Sequence, residues 1–491
     1  MDGINMDVLI PLILYFIVIY AIGFYSLRYV SQARDRAGKG FLVEFLTGDR
    51  NLGGFVLAMT LVATYLSAGS FIGGPGAAYT HGLAWVFLAM SQMPTGYFTL
   101  AVVGKKLAII ARKINAVTVT DLLKERYENK LVVVLCSIAI VFFFVAAMTA
   151  QWIGAARLLE GAVGIPYLTA LRFFALSVLI YTTIGGFRAV ALTDTLQGVV
   201  MTIGTIAVIV AAVAAGGGVG NLVQSMAALE PGLISPFGAN PQVTSMAWVT
   251  SFWILVGFAV VGMPQVAVRA MSYRDTGSLK RAIIYGTAVS MVLLLGMHLL
   301  GAFGRVLVPG IESGDLVVPT VTTQLFPNWI AGIILAGPLA AVMSTVDSQL
   351  LLAAGAIVND LYANLINPAI KRTAAFAFAS TLAIGLVIYI WALNPPDLMV
   401  WLNLYAHAGI IATFLWPLIL GIYWKRANAP GALASIVSGV GTYIWFNTVW
   451  PRPFGLHVIV VPLLISLAAF VLVSYLTEKP PSRVIAKFWG V

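Results

Sequence analysis

ATYLSAGSFIGGPGAAY, residues 63–79, is a run of small side chains that carries Gly73, Gly74, Pro75 and Gly76 inside a stretch otherwise apolar enough to cross a bilayer. Glycine weakens a helix and proline removes one of its donors, so the run predicts a membrane helix that breaks at these residues. Within hydrocarbon, unwound backbone survives only where it is buried in protein or lines a cavity. A broken helix near the midplane is where secondary transporters place ion and substrate.

The surrounding chain fits that reading. Its 491 residues are 60% hydrophobic and 9% charged, with a mean hydropathy of +0.96, which no soluble domain of this length matches. Apolar runs of about 20 residues, each long enough to span as a helix, recur near 7–27, 52–78, 84–104, 131–157, 168–184, 195–215, 247–268, 282–304, 329–358, 373–393, 398–422, 431–449 and 458–476. The expected fold is therefore an all-α polytopic membrane protein of about 13 transmembrane helices.

The net charge of +10 does not point to nucleic acid, because the basic residues are sorted by side and not gathered on one face. With the N-terminus outside, the inner loops hold Arg28, Arg34, Arg36, Lys39 and Arg50, the run from Lys105 to Lys130, Arg188, the group Arg269 to Arg281, Lys371, Arg372, Lys425, Arg426 and a basic tail. That places 24 of the 28 Lys and Arg inside and leaves Arg157, Arg172, Arg305 and Arg452 outside, the positive-inside pattern. MDGINMDV lacks the basic start of a cleavable signal peptide, so the first span is expected to be retained. The single Cys136 excludes an intrachain disulfide and a cysteine-ligated metal.

One transmembrane transporter domain is expected over 1–491. It comprises a first span and inner loop (1–50), a five-span block (51–215), a second five-span block (247–422), and two peripheral spans with a short tail (423–491). Each block opens with a Gly-rich helix that carries Pro, FWILVGFAVVGMP at 252–264 in the second. A duplicated unit of five spans inserts with opposite topology, which gives an inverted repeat.

In the ninth span, LAAVMSTVDSQLL (339–351), Ala341, Ser344, Thr345 and Ser348 share one helical face. Two adjacent hydroxyls there could ligate a hard monovalent cation if residues 63–70 supplied carbonyls. Equally, small hydroxyl residues let two membrane helices approach closely.

Taken together, SAGSFIGGPGAAY (67–79), GGFRAVALTDTLQGVVM (185–201), GMPQVAVRAM (262–271) and AAVMSTVDSQLL (340–351) resemble the sodium/solute symporters, and the resemblance runs over almost the whole chain. It implies a leucine-transporter-like core of five plus five inverted spans. It also implies that the carbonyls of Ala63, Leu66 and Ala341 and the hydroxyls of Ser344 and Thr345 hold a sodium ion. Five neutral oxygens suit an ion that must both fill and empty.

Asp194, in TDTLQ, matches an aspartate on the inward sodium path of similar symporters; it also reads as an acidic cap where the sixth span begins. Asp347 departs from the pattern. An intramembrane carboxylate suggests function by default, either as attraction for a second cation or proton or as an interhelical hydrogen bond. Tyr65 falls where proline transporters of the family carry aspartate, which disfavours proline. Arg157 and Glu160 read as an ion pair, or Arg157 as an attractor of anions. His81, His298, His407 and His457 are scattered, with no metal spacing and no catalytic constellation.

AMTLVATYLSAGSFIGGPGAAY (58–79), IGAARLLE (153–160), DLVVPT (315–320) and YWKRANAPGAL (423–433) resemble the branch of the family that carries pantothenate. A pocket for that small organic anion needs a positive end and polar donors; helix amides are expected to meet the carboxylate, and Thr64, Ser67, Ser70 and Gln265 are the expected polar lining. The expected protein is a sodium-coupled symporter of a bacterial inner membrane with a cytoplasmic C-terminus. It is not an enzyme, it has no cofactor besides the coupling ion, and it needs neither nucleic acid nor an obligatory protein partner. The alternatives are uptake of another small carboxylate or amino acid, and a transporter-like solute sensor.

Overall fold

The computed structural model describes residues 4–34, 50–240, 244–363, 366 and 373–490. The side chains of Arg28, Arg34 and Arg188, and all of Arg36, Lys39, Lys371 and Arg372, lie outside what is described, so their part in the charge sorting is not addressed.

The described residues are helical, with one isolated β-bridge between Leu52 and Tyr273. In chain order the helices are α1 (Met6–Arg34), α2 (Gly54–Tyr65), α3 (Gly69–His81), α4 (Leu83–Ile114), α5 (Val119–Tyr127), α6 (Lys130–Val163) and α7 (Tyr167–Ala215). They continue as α8 (Val219–Leu229), α9 (Met246–Gly262), α10 (Pro264–Met271), α11 (Thr276–Leu307), α12 (Val317–Leu325), α13 (Asn328–Tyr362) and α14 (Thr373–Ala392). The last four are α15 (Met399–Tyr423), α16 (Ala429–Val449), α17 (Val460–Leu476) and α18 (Ser482–Trp489).

Among the described residues, eight helices are long and apolar enough to cross a bilayer, or ten when α2 with α3 and α9 with α10 are each one bent span. The other three of the thirteen expected spans fall on α7 before residue 181, on α14 and on the 17-residue α17. A straight crossing takes about 20 residues.

Helix α7 contains two expected spans and is not one straight rod. A straight helix would separate Phe173 from Gln197 by about 36 Å. Yet adjacent residues of α1 hold both: Phe16 packs edge-on against Phe173 at 5.4 Å, and Tyr15 accepts a hydrogen bond from Gln197 Nε2 at 3.0 Å. The two arms, 167–180 and 190–215, therefore pack on α1 as separate spans.

Helix α13 lies at the centre. Residues 334–350 are buried on every side, polar Ser344, Thr345, Asp347, Ser348 and Gln349 included. A helix enclosed all round is placed by its neighbours and not by one apolar stripe, and α13 packs on α1, α2, α6 and α7.

The first break differs from the expectation. The chain bends by 68° between α2 and α3, and the extended residue is Leu66 (φ −80°, ψ 121°). Gly73, Gly74, Pro75 and Gly76 are helical, with Pro75 in the first α-helical turn after a π-helical stretch at Gly69–Gly73, where its missing donor is not needed. These residues serve close approach. A Cβ on Gly74 would stand 2.3 Å from His298 Nε2, and a Cβ on Gly301 2.2 Å from the Pro75 carbonyl. The second break, of 49°, falls at extended Met263 just before Pro264, as the steric demand of proline on its predecessor requires. The feet of the two broken spans are joined, Leu52 N donating to Ser272 O at 3.1 Å and Arg274 N to Leu52 O at 3.0 Å.

Candidate functional site

Because α2 ends at Tyr65, the carbonyls of Ala63 and Leu66 have no following turn of helix to bond, and α13 faces them with its hydroxyl stripe. Ser344 Oγ lies 2.8 Å from Ala63 O and 3.1 Å from Ala341 O. Thr345 Oγ1 lies 3.0 Å from Ala341 O and 3.4 Å from Leu66 O. The structure thus brings together all five oxygens expected from the resemblance, with both hydroxyls within 1% of full burial. Two hydroxyl protons cannot satisfy three carbonyls and each other. A cluster with more lone pairs than protons suits a hard cation, and its neutrality favours weak, reversible binding.

The same face of α13 continues into charged groups. Ser348 Oγ lies 3.3 Å from Thr64 Oγ1 and donates to Ser344 O at 2.9 Å, and it accepts from the Arg269 guanidinium. Arg269 in turn lies 3.6 Å from Asp194 Oδ2, which also accepts from Thr60. Arg269 is 1% exposed and Asp194 and Asp347 0%. Asp347 acts electrostatically on Arg269 and on Tyr15. The polar track runs from the Leu66 break along α2 towards Thr60.

Asp194 is therefore not a helix cap. It stands inside α7, beyond any free amide, and its partner is a guanidinium. Arg269 had been counted among inner-loop cations; the signal that identifies it is electrostatic, since two buried carboxylates on apolar helices require a countercharge. Arg157 and Glu160 form an ion pair at 2.8 Å, part-exposed, with Arg157 also stacked over Tyr167.

Beside the cluster, a cavity opens between the two breaks. Ser67, Gly69, Ser70 and Gly74 line it from α2–α3, Val256, Val260 and Met263 from the second broken span, and Asn403 and His407 from α15. Trp85, Gln92, Phe252 and His298 are also in its wall. Tyr65, also a wall residue, joins the two spans by donating to Val256 O at 3.0 Å or Gln92 Oε1 at 3.1 Å. Of the four residues expected to meet solute, Ser67 and Ser70 line this cavity. Thr64 and Gln265 do not: Thr64 faces Ser348, and Gln265 is buried with its carbonyl on Arg269. His298 and His407 come from spans more than 100 residues apart in sequence, so the cavity that unites them leaves no local signal. Among the described residues no group of three or more His, Cys, Asp or Glu could hold a metal ion.

DLVVPT belongs to a contact away from the cavity, at the start of α15. Asp315 Oδ2 accepts from Met399 N, the first residue of α15, at 3.1 Å, and burial pushes its carboxyl up to about 6.

The model of the sodium:solute symporter family matches residues 45–439. Two curated relatives are named sodium/pantothenate symporter. That of Escherichia coli (strain K12) is 46% identical over 484 residues, 98% of this chain and 99% of the relative. That of Haemophilus influenzae (strain Rd) is 45% identical, with 97% of each covered. The osmoregulated proline transporter OpuE of Bacillus subtilis is 28% identical over 99% of this chain and 98% of its own. Among solved structures, a substrate-bound, outward-open Na+-coupled sialic acid symporter superposes with a TM-score of 0.77 at 18% identity, covering 96% of this chain and 98% of that one. Mhp1, a nucleobase-cation-symport-1 family transporter, superposes at 0.53 with 15% identity over 90% of this chain and 97% of its own. These likenesses show the fold, the all-α leucine-transporter-like one.

Proposed function

This chain belongs to the sodium:solute symporter family, and on that premise we propose that it couples inward sodium movement to the uptake of pantothenate by alternating access. The observation that carries the mechanism is the meeting of Ser344 and Thr345 with the carbonyls of Ala63, Leu66 and Ala341 at the first break, next to the cavity. The solute follows from relatives of that name at 46% and 45% identity over nearly the full length.

Sodium in this cluster would join α2 to α13, elements of the two different five-span blocks. An ion that bridges them favours the arrangement in which both hold it, and by linkage the solute that prefers that arrangement tightens sodium by the same factor. Ser344 and Thr345 supply hydroxyl oxygens, and Ala63, Leu66 and Ala341 supply carbonyls. Asp194, Arg269 and Ser348 line the track by which sodium leaves inward. Asp347 is assigned to that track and not to the solute, because it acts on Arg269 and is not among the residues that line the cavity.

One sodium with one anion moves no net charge, whereas a second cation would gain about 2.3 kcal/mol per 100 mV. We assign the protein to a bacterial inner membrane as a multi-pass chain with its N-terminus outside, its two five-span blocks forming inverted repeats and its activity transport without catalysis.

The test is uptake of labelled pantothenate by purified protein in liposomes under an inward sodium gradient. Accumulation that an equal potassium gradient does not drive supports the reading. Uptake of another carboxylate or of proline with none of pantothenate replaces the solute, and absence of any sodium-driven uptake favours a sensor.

A further inference from the structure

The cavity holds two polar groups whose hydrogen-bonding sense is fixed from behind. Asn403 is one. Ala68 N, the first amide after the break, donates to Gln151 Oε1 at 2.7 Å, so the other end of that side chain must be its NH2. Gln151 Nε2 then donates to Asn403 Oδ1 at 3.0 Å. A backbone amide, which can only donate, thereby sets the orientation of two side-chain amides in succession. The outcome is that Asn403 Nδ2 faces the cavity as a donor, without a hydrogen-bond partner among the described residues. Gly69 is what admits it, since a Cβ there would lie 2.5 Å from Asn403 Nδ2.

His298 is the other. Its Nδ1 lies 2.7 Å from Leu294 O, a group that can only accept, so Nδ1 carries the proton. In the neutral ring Nε2 is then an acceptor. It has no hydrogen-bond partner among the described residues, and it points at Gly74, where a Cβ would lie 2.3 Å away. Gly69 and Gly74 are five residues apart on α3, on the order of 7 Å along a helix. The two polar atoms therefore meet the solute cavity at different heights along one broken helix.

We propose that the cavity reads the polarity of its solute from end to end, with Asn403 Nδ2 as a fixed donor for the carboxylate and His298 Nε2 as a fixed acceptor for a hydroxyl. Gln151 acts through Asn403 as a positioning residue. The proposal rests on the reading of this cavity as the solute site. It explains how an anion is held without a buried arginine in the cavity wall, and it orients pantothenate, an acid at one end and a diol at the other, in a single direction.

The experiment uses full-length protein in liposomes, sodium-driven uptake of labelled pantothenate, and competition by three unlabelled compounds: pantothenate, its primary carboxamide, and the analogue whose hydroxyls are replaced by hydrogen. In the wild type each altered compound should compete about tenfold more weakly, the carboxamide because its oxygen accepts without the help of a charge and the other because a site built to bond a hydroxyl rejects the analogue lacking it. In Gln151→Met, Asn403 is free to turn, so the ratio of acid to carboxamide falls towards one while the hydroxyl ratio stays. In His298→Phe the hydroxyl ratio collapses and the acid ratio stays. This crossed pattern is one that general damage to packing does not produce. Wild-type ratios near one, or ratios that move together in both variants, overturn the proposal. If a variant does not fold, Asn403→Ser replaces Gln151→Met with the same expected loss of acid preference, and the wild-type ratios alone still decide. If pantothenate is not carried, the solute assignment fails separately. The acid-to-carboxamide ratio is then measured with the carboxylate that the sodium gradient does drive, and a value near one overturns the polarity reading.

Discussion

The two broken spans have the same backbone problem and answer it with different chemistry. At Leu66 the freed carbonyls face only hydroxyls, Ser344 and Thr345, and the freed Ala68 amide faces neutral Gln151. Past Met263, by contrast, the short helix α10 carries Arg269, whose guanidinium lies against Asp194 and Ser348. One break has a resident cation, attached by a side chain; on the proposed reading, the other leaves the cation's place to a sodium ion that can exchange. The difference teaches how a repeated architecture becomes a one-way device. The tethered charge of Arg269 ties α10 to Asp194 of α7 and Ser348 of α13, and on the proposed reading an untethered one ties α2 to α13 only while sodium is bound.

The harshest way to break this contrast is to remove the tethered charge. Arg269→Met removes the guanidinium paired with buried Asp194, and should cost about 3–5 kcal/mol of stability, read as unfolding in detergent. Arg269→Met combined with Asp194→Asn should recover part of that loss. A single variant as stable as wild type would mean that the guanidinium is not what holds the second break.

Next is Gly74→Ala, which places a methyl against His298 Nε2. Overpacking of this kind costs about 1–3 kcal/mol, and solute uptake should fall while sodium still protects the protein from unfolding. Loss of both together would merge the ion cluster and the cavity into one element.

Ser344→Ala and Thr345→Ala should each raise the half-saturating sodium concentration about tenfold, near 1.4 kcal/mol, with stability in the absence of sodium almost unchanged. A large loss of stability at unchanged sodium affinity would assign the hydroxyls to helix packing, the other reading of that stripe. The smallest effect is expected away from both breaks. Arg157→Ala removes a part-exposed pair with Glu160 and should shift stability by less than about 0.5 kcal/mol, so that charge at a break can be told from charge elsewhere.

How much of this was legible in the sequence follows from the range of each signal. Apolar runs and the spacing of Ser344, Thr345 and Ser348 are local, so the helical fold and the hydroxyl face could be read directly. The first broken helix was legible from its glycines, but its breaking point was not. Leu66 unwinds because partners from α6 and α13 meet its neighbours, whereas Gly73–Gly76 stay helical to let α11 and α15 come near. Arg269 was misread for a related reason. Counting basic residues by side assumes that each is in a loop, and only the fold shows a guanidinium turned inward onto two carboxylates. His298, Asn403 and Gln151 bear no mark in sequence, since their meaning depends on which atom of each is already bonded from behind. Asp194 looked like a cap because TDTLQ resembles a helix start, while the residues before it continue the helix.

The central claim is that sodium at the first break is what drives uptake. It is tested most directly by the sodium dependence of pantothenate uptake in liposomes that carry wild type or Ser344→Ala combined with Thr345→Ala. Wild type should accumulate pantothenate along the sodium gradient, and the double variant, folded to the same extent, should need more than about tenfold more sodium for the same rate. Uptake by the double variant with wild-type sodium dependence would contradict the account.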